Sequence, residues 1–306
     1  MLKIFLKKFL IIINKILNPM RVNILRVHPY SMVKSVYDYP YDLKKRKLNH
    51  NINLMFAKSD FNFLKVITEL KEMEDFFKKI EIVSSDAKKP SWENGGYLSI
   101  LDAASICLMV NKMKPSVFYE IGSGNSTKFA KSSIEEFSPN TKITSIDPFP
   151  RSEVNEICDE IIRKPLEIID ISIFKKLKKN DILFFDGSHR SYQGSDVTVF
   201  FTEILPILSP GVIVCVHDIF LPHDYPKVWA ERLYNEQYLL AAYLLANKDL
   251  NILMANNYIG HNAKLQAHLY NCFSFENLGS IFDSIYDKKD DSKIVSRGGG
   301  AFWFKT

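Results

Sequence analysis

The chain has 306 residues, 46% of them apolar, and a formal net charge of +5. That length and composition suit one catalytic-sized domain of about 200 residues plus extensions, and argue against a disordered chain. The lysines are scattered and no RNP or helix-turn-helix pattern occurs, so no nucleic-acid partner is expected. Four widely spaced cysteines (Cys107, Cys158, Cys215, Cys272) form neither a CxxC pair nor a zinc spacing. A reduced, cytoplasmic protein is expected.

Residues 1–17 read MLKIFLKKFLIIINKIL. The unbroken apolar run, Phe9 to Ile13, is far shorter than the roughly 20 residues of a membrane span. No small-residue cleavage site follows, which disfavours a signal peptide. Apolar positions with lysines between them predict an amphipathic helix over residues 1–20. It has two possible roles: peripheral contact with the inner face of an anionic membrane, or packing on the chain's own domain or on a second subunit in a homo-oligomer.

Residues 21–90 read as a partly helical N-terminal extension. Tyr37, Tyr39, Pro40 and Tyr41 mark a loop, and Lys44 to Lys47 is a basic run on a solvated face. Helical spacing then joins Phe61, Leu64, Ile67, Leu70, Met73, Phe77 and Ile80. The catalytic domain is placed at 91–306. Its first segment, Ser91 to Tyr97, is either a lid over a ligand or an ordinary turn around a packed Trp92. A helix is expected over 98–113.

Residues 117–147 form the most informative stretch. Val117-Phe118-Tyr119 runs into an acid, Glu120; Gly122-Ser123-Gly124 turns; Asn125-Ser126-Thr127 opens a helix; Ile143 to Ile146 runs into Asp147. Strand, glycine turn, helix, strand and acid lay a backbone turn and a helix N-terminus against a nucleotide-like ligand and offer a carboxylate to its ribose. A dinucleotide fingerprint wants a third glycine, but position 127 is Thr. The acid at Glu120 would repel a diphosphate and suits an ammonium or sulfonium group.

Beyond it, the expected elements are a helix at 152–158, a short strand at 160–163, a helix at 172–178, a strand at 181–186, a helix at 192–205 and a strand at 211–217. A proline-containing aromatic stretch, Ile219 to Trp229, follows as a substrate-wall candidate. Then come a helix at 236–248, a strand at 251–255, a helical insertion near 262–286 and an antiparallel last strand over 301–304. Strands alternate with helices, so the fold class is α/β, a doubly wound, mostly parallel, seven-stranded Rossmann-like sheet with an N-terminal helical extension. Glu120, Asp147, Asp186 and the pair His217-Asp218 all fall at carboxyl ends of strands, on the rim where such sheets bind ligands.

The Glu-x-Gly-x-Gly order, with Asp147 following 27 residues after Glu120, resembles motifs I and II of class I S-adenosylmethionine (SAM) methyltransferases. Asp186-Gly187-Ser188-His189-Arg190-Ser191-Tyr192, a helix and LPILSPGVIVCVHD resemble the macrocin O-methyltransferase and cephalosporin-hydroxylase-like branch of that family. The likeness covers roughly residues 92–260.

The resemblance implies SAM as cofactor, held by Glu120, Gly122, Gly124, Ser126, Thr127, Asp147 and Asp186. It implies methyl transfer to a hydroxyl of a small molecule or glycan, in natural-product or polysaccharide biosynthesis. His189, His217 and Asp186 are the catalytic candidates, because an alcohol needs a base or an acidifying metal. Asp186 and Asp218 are candidate ligands for Mg2+ or another divalent cation. In metal-dependent relatives the pair after strand five is two acids, whereas here it is His217-Asp218. A softer ion, or a metal-free histidine base, stays open. The alternatives are a metal-dependent, non-methylating, hydroxylase-like enzyme on the same fold and a SAM-binding subunit without catalysis.

Overall fold

In the computed structural model, residues 49–93, 98–150, 154–226, 229, 232–273 and 299–306 are described. The expected amphipathic stretch 1–17, the loop at 37–41, the basic run 44–47 and the segment 274–298 lie outside them. Among the described residues no helix is long and apolar enough to cross a membrane.

The apolar runs read as strands do form them, each a little shorter than expected. β1 (Val117–Ile121), β2 (Lys142–Ile146), β3 (Glu160–Ile162), β4 (Ile182–Phe185) and β5 (Ile213–Val216) pair in parallel, and β6 (Asn251–Ala255) and β7 (Phe302–Lys305) complete a seven-stranded sheet. The order is β3-β2-β1-β4-β5-β7-β6, with β7 antiparallel to both β5 and β6. β4 and β5 are buried on both faces, which is why their sequences are unbroken apolar runs rather than alternations. The connections reverse direction between β1 and β4, and that switch point opens a crevice beyond the strand ends.

Ahead of β1, α1 (His50–Ala57), α2 (Asp60–Glu72), α3 (Glu74–Lys78) and α4 (Ile100–Met113) cover one face. The single helix expected over 61–82 breaks at Met73 into α2 and α3. Phe63, Val66, Ile67 and Leu70 make the buried stripe. Phe61, two residues before Phe63 and so on the other side of the helix, is 79% exposed and contributes nothing to it. These helices share one apolar core with the sheet. Phe56 packs on Phe302 at 5.5 Å between ring centroids, and Trp92 sits between Phe77 (5.8 Å) and Phe129 (5.4 Å). Trp92 is therefore a packed core residue. α4 is apolar nearly all round and buried along most of its length, as a helix between sheet and outer layer must be.

α5 (Asn125–Phe137) follows the glycine turn. The helices expected at 152–158 and 172–178 are only 3-10 turns, Asn155–Ile157 and Ile171–Lys176; segments this short favour the tighter turn. The helix expected from 192 begins at α6 (Asp196–Val199), because the Ser195 side chain caps it by accepting from the Thr198 amide. It widens into a π turn, Phe200–Ile204, where Pro206 supplies no amide and its ring crowds the preceding turn. α7 (Glu236–Ala246), α8 (Asn256–His261) and α9 (Ala263–Tyr270) complete the described chain. Of the insertion expected near 262–286, the described part holds α9, and residues 274–286 lie outside the described residues.

Candidate active site

A cavity of about 810 Å³ opens over the switch point. Of the residues expected to hold a cofactor, Gly122, Gly124, Ser126, Asp147 and Asp186 line it. The turn is built from the strand ends. The Gly122 amide donates to the Ile146 carbonyl at 3.0 Å. The Ser123 amide donates to Asp147 Oδ2 at 2.8 Å, and the Phe149 amide donates to Asp147 Oδ1 at 2.7 Å. Asp147 thereby braces the glycine turn from the neighbouring strand while facing the cavity.

Glu120 and Thr127 lie beneath the turn, fully buried and away from the cavity wall. Thr127 Oγ1 donates to Glu120 Oε2 and accepts from the Gly124 amide at 3.0 Å. Burial pushes the Glu120 carboxyl up to about 8, against the opposing hydrogen bonds of Ser126 and Thr127. An acid whose folded value is raised is protonated in the fold while the unfolded chain ionises, so stability falls from pH 4.5 up to about pH 8 and is level above. Glu120→Gln is expected to stabilise the ligand-free protein by roughly 1–3 kcal/mol at pH 8 and by almost nothing at pH 4.5. Denaturant titrations at the two pH values measure this, and an equal effect at both would contradict a buried neutral acid.

Next to the cavity, β4 and β5 end in a polar cluster. Asp186 Oδ1 lies 3.2 Å from His217 Nδ1 and 3.3 Å from His189 Nε2. His189 Nε2 is also 3.3 Å from Asp218 Oδ2. Asp186, His217 and Asp218 each offer a ligand atom within 4.8 Å of the others. The structure thus brings together all three catalytic candidates and both candidate metal ligands. His189 and Asp218 hold left-handed backbone, with φ of 60° and 57°, a conformation that costs free energy and collects at functional sites.

Two further carboxylates complete the cluster, and neither was among the candidates read from the sequence. Glu236, at the start of α7, pairs with His189 Nδ1. Asp102, in the first turn of α4, pairs with His217 Nε2 at 3.2 Å. Asp102 also accepts from the Gly300 and Ala301 amides, each at 2.8 Å, and from Asn256 Nδ2 at 2.8 Å. An acid in the otherwise apolar run Ile100 to Val110 was the only available signal for Asp102; nothing marked Glu236.

Burial opposes charge on both imidazoles, but the acids around them win. Glu236, Asp218 and Asp186 raise His189 to about 9, and Asp186, Asp102 and Asp218 raise His217. Burial raises Glu236 to about 7. For Asp102 burial is outweighed by His217 and the two amides, so its carboxyl is lowered. The cluster is a strongly acidic pocket that can hold a cation and exchange a proton.

Beyond His189, the residues after β5 form an aromatic wall. Tyr234 packs on the His189 ring at 4.4 Å, Trp229 on Tyr234 at 5.6 Å, and the Arg232 guanidinium lies 3.9 Å over the Trp229 ring.

Residues 119–219 match the family model of a methyltransferase domain. None of the curated proteins matches the chain significantly. Among solved structures, the SAH-bound methyltransferase PaMTH1 of Podospora anserina is similar at 16% identity, over 61% of this chain and 82% of that one, with a TM-score of 0.35. A coclaurine N-methyltransferase bound to N-methylheliamine and SAH is similar at 9% identity, over 84% and 92% of the two chains, with a TM-score of 0.31.

Proposed function

We propose that this chain, with its methyltransferase-domain match over residues 119–219, is a SAM-dependent methyltransferase acting on a hydroxyl of a small molecule or glycan. One observation carries the reading: the Gly122 turn, Asp147 and Asp186 line one cavity, and Asp186 also belongs to the adjoining cluster with His189 and Asp218. The fit to SAM lies in the donor set. Asp147 is placed for a ribose, and an acidic rim suits a sulfonium rather than a diphosphate. When bound, SAM supplies a methyl group on a positively charged sulfur.

The chain's own residues do the remainder. Asp147 and the turn amides orient the cofactor. His189 Nε2 faces the centre; with the surrounding acids raising it to about 9, it takes the acceptor hydroxyl's proton through its neutral fraction, which grows as pH rises toward 9. Asp186, between cofactor cavity and cluster, orients that hydroxyl. Asp186 and Asp218 would hold a divalent cation, which lowers the pKa of a bound hydroxyl. Trp229 and Tyr234, packed beyond His189, are aromatic in keeping with a sugar or aromatic acceptor. The macrocin O-methyltransferase-like branch is the finer assignment we favour, on the order of motifs from Asp186 to Asp218.

Thermal denaturation with SAM, S-adenosylhomocysteine, NAD and ATP tests the cofactor. Stabilisation by SAM and S-adenosylhomocysteine alone is expected, and stabilisation by NAD in preference to SAM would sink the reading. Asp147→Ala is expected to weaken SAM binding by about 1–3 kcal/mol, the cost of an unmade charged hydrogen bond. Isothermal calorimetry reads the loss, and an unchanged affinity would remove Asp147 from the cofactor site.

A further inference from the structure

The surroundings of His217 fix which of its ring nitrogens carries hydrogen. Asp102 already accepts from two backbone amides and Asn256, so it is an ionised acceptor with no proton to give. The hydrogen between them therefore sits on His217 Nε2. That leaves Nδ1 pointing at Asp186 Oδ1, 3.2 Å away, and Asp218 Oδ1, 3.6 Å away. Three acceptors face one another, and a positive charge among them, a proton or a metal ion, relieves their repulsion.

The two edges that meet at Nδ1 fit an ion, and the Asp186–Asp218 edge stays within 4.8 Å. Two atoms bonded to one first-row ion at about 2.0–2.2 Å lie roughly 2.8–3.6 Å apart, depending on geometry. Both edges from Nδ1 fall within that range. Spacing does not separate Mg2+ from the transition ions, because its bonds are of similar length. Donor type does: imidazole suits Mn2+, Fe2+, Co2+ and Zn2+ progressively better, while Mg2+ keeps to oxygen and water. His189 borders the same centre: Glu236 engages its Nδ1, and its Nε2 spans Asp186 and Asp218 at 3.3 Å each.

We propose that His217 is a metal ligand through Nδ1, that Asp102 is its positioning residue, and that the centre takes a first-row transition ion in preference to Mg2+. This rests on the reading that Asp186 and Asp218 hold a cation. A carboxylate behind a histidine fixes the tautomer and makes the ligand nitrogen more basic, and its loss typically weakens metal affinity about 10- to 100-fold.

The full chain, stripped with a chelator and dialysed, is titrated separately with Co2+, Mn2+ and Mg2+. Co2+ is expected to develop the visible absorption of a nitrogen-containing site and to bind at least about 10-fold tighter than Mg2+. His217→Gln keeps an amide donor for Asp102 while removing the ligand nitrogen. It should weaken Co2+ by about 10- to 100-fold and Mg2+ far less. Asp102→Asn should weaken Co2+ about 10-fold. Thermal denaturation checks that each variant folds. If His217→Gln does not, the electron spin-echo modulation of Mn2+ on the unaltered chain decides by showing or lacking a histidine nitrogen.

Equal affinity for Co2+ and Mg2+, no metal binding, or no nitrogen coupling overturns the proposal and leaves a proton on Nδ1. SAM binding is measured by calorimetry in the same samples. A chain that binds SAM but no metal loses this inference and keeps the methyltransferase reading; one that binds the metal but not SAM does the reverse.

Discussion

Asp102→Ala is expected to destabilise the protein by about 3–5 kcal/mol, the cost of breaking a buried charged network from one side. The carboxylate is 2% exposed and serves the His217 ring, the Gly300 and Ala301 amides and Asn256 together. Alanine leaves those donors buried and unpaired. The effect has a definite pH sign. The Asp102 carboxyl is lowered in the fold, so its contribution is present above the unfolded value of 3.8 and is lost as pH falls through the lower folded value. Urea titrations at pH 7 and near pH 3 should show the deficit shrinking in acid. A deficit under about 1 kcal/mol at pH 7 would mean the network is worth little.

Gly122→Ala is expected to be comparably damaging, by about 3 kcal/mol or more. Gly122 has φ of +81°, and a methyl group on it would stand 1.9 Å from the Asp186 carbonyl oxygen. The turn approaches β4 so closely that only a hydrogen fits. Gly124 is the control. Its backbone is extended, with φ of 177°, and a methyl group there meets nothing within 4 Å. Gly124→Ala should fold with near-normal stability while losing SAM affinity, because its methyl enters the cavity. Equal destabilisation by both substitutions would refute the close-approach argument.

Much of the rim was legible before any coordinates. Strands buried on both faces must be apolar along their length, and they must end where the chain can become polar, so Asp147, Asp186 and His217-Asp218 declared themselves as strand ends. The Gly122-x-Gly124 turn announced itself by composition. The helices after β2 and β3 were less legible, since apolar spacing over a few residues fits a 3-10 turn as well as an α-helix. Glu120 and Thr127 showed the limits of motif reading. Both were expected to hold the cofactor, but the structure sets them under the turn, bonded to each other and off the cavity wall.

The fold class and the side of the sheet on which chemistry can occur follow from local rules: strand burial, glycine backbone freedom and the alternation of strands with helices. Which carboxylate holds which histidine does not. Asp102 meets His217 across 115 residues and Glu236 meets His189 across 47. Such pairs depend on how α4 and α7 pack against the sheet, and no spacing along the chain encodes that packing. A buried imidazole takes its tautomer from the partner it is packed against, so the direction in which His217 presents Nδ1 was set by the fold.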